Sequence, residues 1–399
     1  MERAATEAGG LAGLPFLLAA DLTACVEGVH TAVAGRSFAA VGILGRPVQA
    51  VHDGIAGTVY AAIRGSADVL GRAAVKATQS ALPAGPVAAT PAGALLVSAL
   101  NGAFGDRLAA TRSGLAIGMA IRSRGGDVRP EPAHLRRAFP KARPKLAVFV
   151  HGLCENENSW GGAGSYGERL EADLGYTPVY LRYNTGLHVS DNGQALDGLL
   201  AALLSAWPVP VAELALLGHS MGGLVIRSAC EQGDRGGAGW VPLVKHVFLL
   251  GTPNLGAPLE KIANLGASLL RLVPETRPLG RLINRRSAGI KDLRFGALVE
   301  DDWRGRDPDA LLVDSCTEVP LPAGISHHVV AATVTRRPDS PLGRVLGDTL
   351  VRYESAMGEG RRRRLAVEPG RRHHLGAATH FDLLDHPRVY DWMRGQLAS

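Results

Sequence analysis

In the first 125 residues, apolar positions recur every three or four residues. Leu18, Leu22, Val26, Val29 and Val33 line one face of a helix predicted within residues 15–40, and Val51, Ile55, Val59 and Ile63 line a second. A third helix is expected after Thr90-Pro91, a pair suited to an N-cap and a first helical position, with Leu96, Leu100, Phe104 and Leu108 along one side. These stripes can pack on one another, on the next domain, or against lipid or another apolar surface. From about residue 145 the pattern changes. Short apolar runs at 146–150, 179–183, 214–217, 247–250 and 328–334 read as strands, with 363–367 as the last. Helical stretches at 194–207, 224–231 and 389–397 alternate with them. Such alternation predicts a mostly parallel sheet with helices on both faces. The intervening region 121–145 carries eight basic residues against Asp127 and Glu131 and reads as a solvated linker. The expected organisation is an N-terminal α-helical region over 1–125, a basic, proline-containing linker over 126–144, and an α/β domain over 145–399.

Composition narrows this picture without redirecting it. Hydrophobic residues make up 46% of the chain and charged residues 20%, which suits a folded globular protein and excludes a disordered one. The formal charge of +6 is mildly basic, but the arginines are scattered and no nucleic-acid motif accompanies them, so no nucleic-acid partner is expected. Cys25, Cys154, Cys230 and Cys316 are too widely spaced for a metal knuckle or a dense disulfide framework. Reduced thiols in a cytoplasmic protein are the expectation. Glu2 and Glu7 precede the apolar run 11–20, a poor charge pattern for a secretory signal. The uncharged region 78–105 is interrupted by Pro83, Pro86 and Pro91, so it cannot form one membrane-spanning helix, and any membrane contact is expected to be peripheral. The sequence sets no oligomeric state.

Chemistry concentrates at 214–226, which reads LALLGHSMGGLVI. An apolar strand meets Gly218-His219-Ser220-Met221-Gly222 and passes directly into a helix, the context in which G-x-S-x-G places a serine on a strained turn with its Oγ exposed. A serine nucleophile also needs a base and donors for the oxyanion. After the first strand comes His151-Gly152-Leu153, where the N–H of Leu153, paired with that of Met221, can form an oxyanion hole. His151 is expected to shape that turn and His219 to be structural beneath the helix. Cys154 is read as packing, with a redox-sensitive neighbour of the site as the other reading.

Together, VFVHGL, GHSMGG and VFLLGTPNLGAP resemble the α/β-hydrolase superfamily, in particular its bacterial lipases and the GPI inositol-deacylase-like esterases, over residues 144–399. The resemblance implies an α/β-hydrolase fold with a helical cap and a triad in the order serine, acid, histidine. For the acid, Asp348-Thr349-Leu350-Val351 is similar to the Asp-Gly-x-Val stretch of these lipases except at Thr349, with Asp339 and Asp314 as other candidates. For the base, His380 in His-Phe-Asp-Leu-Leu matches the family segment, whereas His386 before Pro387 suits a cap. His373-His374 is expected in a solvated turn and His327-His328 in a structural role. A cap or lid is expected at about 255–310, where Leu259, Ile262, Leu265, Leu269, Leu270 and Leu272 form an apolar pattern. Two readings stand for it, a mobile lid as in lipases and a fixed cap helix. The implied function is a serine carboxylic-ester hydrolase, a lipase or esterase, with an acyl-ester or lipid substrate, Ser220, Asp348 and His380 as triad, and no cofactor or catalytic metal. An acyltransferase, a storage-polyester depolymerase, and a lipid- or granule-surface binding protein on an inactive scaffold stand as alternatives.

Overall fold

The structure, a computed structural model, describes residues 2–41, 46–80, 87–162, 164–257, 285–307, 310, 316–360 and 362–398. Its centre is an eight-stranded sheet in the order β2-β1-β4-β3-β5-β6-β7-β8. The strands are β1 (Ala120–Ser123), β2 (Gly126–Val128), β3 (Lys145–Val150), β4 (Tyr176–Arg182), β5 (Glu213–His219), β6 (Val244–Leu250), β7 (Ser326–Thr333) and β8 (Arg372–Gly376). From β4 to β8 all neighbours run parallel, whereas β1 lies antiparallel to β4 and pairs with β2 as a hairpin at the edge.

The parallel strands are apolar on both faces because both are covered. In one direction point Leu146, Val148, Val150, Leu214, Leu216, Val247, Leu249 and Val329; in the other, Ala147, Phe149, Ala215, Leu217, Phe248, Leu250 and Val330. This is the two-residue period of a strand serving two cores. Each fully buried Leu or Val contributes roughly 1.5–3 kcal/mol of transfer free energy. The first core is closed by α6 (Val189–Ala206) and α7 (Met221–Gly236), the second by α5 (Tyr166–Leu174) and by the helix Pro387–Leu397.

Before the sheet stand α1 (Glu2–Val41) and α2 (Arg46–Ser80), packed along each other, and α3 (Pro91–Ala110). Thr90 caps α3 through its hydroxyl, which accepts from the Gly93 N–H at 3.1 Å. Of the expected Leu96, Leu100, Phe104 and Leu108 stripe of α3, Leu108 is buried and Leu100 and Phe104 pack partly buried on the same cluster, but Leu96 is 47% exposed, and the buried face also carries Val97, Ser98, Asn101, Gly102 and Gly105. Small residues win there because the loops of the α/β domain come close. A Cβ on Gly102 would collide with Cys154 and one on Gly105 with Asn184, while Asn184 Nδ2 donates to the Gly105 carbonyl at 2.9 Å and Ser287 Oγ to that of Gly102 at 2.6 Å.

Two other expectations differ from the structure. The basic region read as a linker over 126–144 contains β2 and α4 (Pro132–Ala138), with Leu135 fully buried, and the sheet begins at Ala120. Arg122 explains how so basic a segment can fold: its guanidinium is buried between Asp127 and Glu157, and Arg182 shares Glu157. The last strand is β8 rather than 363–367; as an edge strand it needs little apolar surface, and only Leu375 of its five residues is buried. Part of the expected cap, including Leu259, Ile262, Leu265, Leu269, Leu270 and Leu272, lies outside the described residues.

Candidate active site

The sheet order reverses around β3, and the loops leaving the C-terminal ends of β3, β5, β7 and β8 gather there, where open α/β sheets form their crevice. Ser220 follows β5 with φ 51° and ψ −123°, a backbone conformation that side-chain-bearing residues rarely hold. The turn is tied down by the Ser220 N–H, which donates to the Leu250 carbonyl at 2.8 Å. It needs glycine at Gly222, because a Cβ would run into the carbonyl oxygens of Val150 and His151.

Asp348 lies after β7 and is fully buried. Its Oδ1 accepts from the N–H groups of Leu350 (3.0 Å) and Val351 (2.8 Å), leaving Oδ2 to meet His380 Nδ1 at 2.7 Å. The His380 N–H also donates to the Asp348 carbonyl at 2.9 Å, so the pair is held by both backbone and side chain. Thr349 has φ 92°, the conformation that glycine takes without strain at this point of the Asp-Gly-x-Val pattern. His380 Nε2 is buried and has no hydrogen-bond partner among the described residues.

Ser220 and His380 line one cavity of about 300 Å³ together with Leu153, Glu155, Pro253, Ile290, Leu293, Leu350 and Phe381. Ala257 and Arg286, which flank residues 258–284, line it too. Met221 opens α7, so its N–H belongs to the positive end of a sixteen-residue helix. Leu153 sits on the loop after β3, and neither its amide nor that of Met221 has an acceptor among the described residues.

The remaining candidates fall elsewhere. Asp339 is exposed and pairs with Arg337. Asp314 lies outside the described residues. His386 caps the last helix, its Nδ1 accepting from the Arg388 N–H at 3.2 Å. His373 and His374 are within β8 rather than in a solvated turn, His374 Nε2 lying 2.8 Å from Thr333 Oγ1. His327 Nδ1 bonds the Ile325 carbonyl, and His328 stacks on Phe248. Cys154 Sγ faces α3, 3.9 Å from the Ala99 carbonyl, and burial pushes the thiol up. His151 packs flat on Tyr183, and burial holds its imidazole below the ordinary value, partly offset by the Gly152 carbonyl. Among the described residues no group of three or more His, Cys, Asp or Glu side chains is arranged to hold a metal ion.

Glu155 is the feature sequence reasoning missed. It is nearly buried, its Oε2 accepts from the Gly152 N–H at 2.8 Å, and it pairs with His219 Nδ1 at 2.9 Å. No local pattern marks it, since its partner is 64 positions away.

A parallel sheet, a serine on a strained strand-to-helix turn at its C-terminal edge, and an acid and a histidine following later strands in that order define the α/β-hydrolase fold. No family model matches the chain, and neither does any curated protein. Among solved structures the chain is similar to the mature lipase BlEst2 of Bacillus licheniformis, at 18% identity over 63% of this chain and 91% of that one, with a TM-score of 0.44. It is also similar to lipase B of Aspergillus fumigatus (13%, 64% and 52%, TM-score 0.40) and to an esterase of Pyrobaculum calidifontis (16%, 70% and 79%, TM-score 0.34). The fold assignment itself stands on the strand order and the turn at Ser220.

Proposed function

We propose that this chain is a serine hydrolase that cleaves carboxylic esters of lipid-like substrates through an acyl-serine intermediate. The observation that carries the reading is the buried Asp348–His380 hydrogen bond, with His380 and Ser220 lining the same cavity. Ser220 Oγ attacks the ester carbonyl while His380 Nε2 takes its proton. Asp348 keeps the proton of His380 on Nδ1 and stabilises the imidazolium. The N–H groups of Leu153 and Met221 receive the oxyanion. His380 then returns the proton to the leaving alcohol, and water activated by the same nitrogen releases the acid. Neither organic cofactor nor metal enters these steps.

A lipid-like acyl group is favoured by the lining of the cavity, in which Leu153, Pro253, Ile290, Leu293, Leu350 and Phe381 outnumber the charged Glu155 and Arg286. Thr6–Ala32 of α1 is long and apolar enough to cross a membrane by length and composition, with a mean hydropathy of 1.6. Within it Leu18, Leu22 and Val26 are exposed at four-residue spacing. We read this row as a face that meets a lipid surface from the cytoplasmic side. The test is hydrolysis of p-nitrophenyl esters of increasing chain length, beside fluorophosphonate labelling. Activity and labelling that vanish in Ser220→Ala, with an optimum above short acyl chains, support the reading; activity that survives Ser220→Ala overturns it.

A further inference from the structure

We propose that Glu155 and His219 form a permanently charged buried pair, an imidazolium with its own carboxylate, that positions the oxyanion loop and the His380 loop against each other. The inference rests on the reading of Ser220 and His380 given above.

His219 is fully buried, and both of its ring nitrogens face acceptors. Nδ1 lies 2.9 Å from Glu155 Oε1 and 3.1 Å from Oε2, and Nε2 lies 3.2 Å from the His380 carbonyl oxygen. A neutral imidazole has one N–H, so it could satisfy only one side and would set a lone pair against an oxygen on the other. Two protons satisfy both. The resulting cation needs a counter-charge to stay buried, and Glu155 supplies it. Burial pulls the His219 imidazole down, but the charge and hydrogen bond of Glu155 outweigh this and hold it above its ordinary value. Burial likewise pushes Glu155 up, while His219 and the Gly152 N–H bring it below the ordinary carboxylate range. The other groups facing His219 agree: Asp348 is a further carboxylate nearby, and the rings of Trp160 and His380 pack against the imidazole.

The pair links three loops. Gly152, next to the proposed oxyanion donor Leu153, donates to Glu155; Glu155 holds His219, beside Ser220; and His219 donates to the backbone of His380. Glu155 and His219 act through these neighbours and are positioning residues. The charge also has a use: a carboxylate lining the cavity would oppose a developing oxyanion unless a fixed cation offset it.

The test uses the full chain with ¹⁵N-labelled histidine, the His219 ring signals being assigned by their absence in His219→Gln. The expected result at about pH 8, well above the ordinary histidine value, is a doubly protonated His219 in the wild type and in Glu155→Asp, which keeps the charge. In Glu155→Gln the doubly protonated signature is lost, and kcat falls roughly ten- to a hundredfold with KM little changed, as misplaced catalytic groups cost. A singly protonated His219 in the wild type, or wild-type kcat in Glu155→Gln, overturns the proposal. The ring spectra need no turnover, so an enzyme whose activity survives Ser220→Ala would sink the esterase reading while the protonation result still decides the pair.

Discussion

Near the candidate site, side-chain-bearing residues hold backbone conformations that glycine would hold more cheaply, among them Ser220 at φ 51° and Thr349 at φ 92°, with Cys154 at φ 62° and Ala377 at φ 58°. Ser220 is required there if its hydroxyl is the nucleophile. Thr349 is exposed and β-branched, so its backbone conformation is strained. Thr349→Gly relieves about 1–3 kcal/mol of strain and adds up to about 1 kcal/mol of unfolded-state entropy. The expected net is a modest gain, read as a higher urea midpoint; a lower midpoint would show that the threonine side chain is stabilising. Asp348→Asn is expected to lower kcat by roughly 10⁴, because the amide favours the wrong tautomer of His380. Asp339→Asn and His386→Ala should leave most turnover, since one side chain is exposed and the other caps a helix. Steady-state kinetics on one ester separates these outcomes, and the reverse order for the two aspartates would reassign the acid.

At the scale of elements, α3 carries the clearest contrast between pattern and packing. Leu95 and Leu96 are 58% and 47% exposed, while its glycines touch the loops after β3 and β4. Gly105→Val is therefore expected to destabilise by about 1–3 kcal/mol through overpacking against Asn184. Leu96→Gln should change stability by no more than about 0.5 kcal/mol. Chemical denaturation of the two variants tests the assignment of faces, and a costly Leu96→Gln would contradict it. The same logic applies to α1: Leu18→Ser with Leu22→Ser and Val26→Ser should reduce co-sedimentation with phospholipid vesicles and leave hydrolysis of a short soluble ester unchanged. Equal sedimentation of wild type and variant would remove the lipid-facing role of that row.

For the whole molecule, the parallel strands at the centre of the sheet, buried on both faces, hold titratable groups that burial keeps neutral. Burial lowers His327 to about 4 and His328 to about 3, and His246, 3.1 Å from His328, is lowered as well. The unfolded chain takes up protons at these histidines near the ordinary value of about 6.5, whereas the folded chain resists until far lower pH. Their contribution leaves stability flat above about pH 7 and lowers it as pH falls from about 6.5 toward 4. His328→Phe keeps a ring against Phe248 and removes one such group, so its urea midpoint should fall less steeply over that range than the wild type's. Parallel slopes would mean that His328 carries no such load.

Within the sequence, the strands and the turn at Ser220 were legible because their signals are local. A strand buried on both faces is a short apolar run, and a nucleophile turn needs its small residues within five positions. Thr90 and Pro91 announced the start of α3 for the same reason. The ends of the sheet escaped: the edge strands β8 and β2 are mostly polar, because one unpaired side lowers the demand for apolar residues, and β1 beside β2 is a four-residue strand among arginines. Which face of α3 is buried, which aspartate meets His380 and what Glu155 holds were decided only by the tertiary structure. Asp348 and His380 are 32 positions apart, and Glu155 and His219 are 64 apart. Contacts of that separation arise from the order in which strands join the sheet, and no pattern along the chain encodes the direction from which a distant loop arrives.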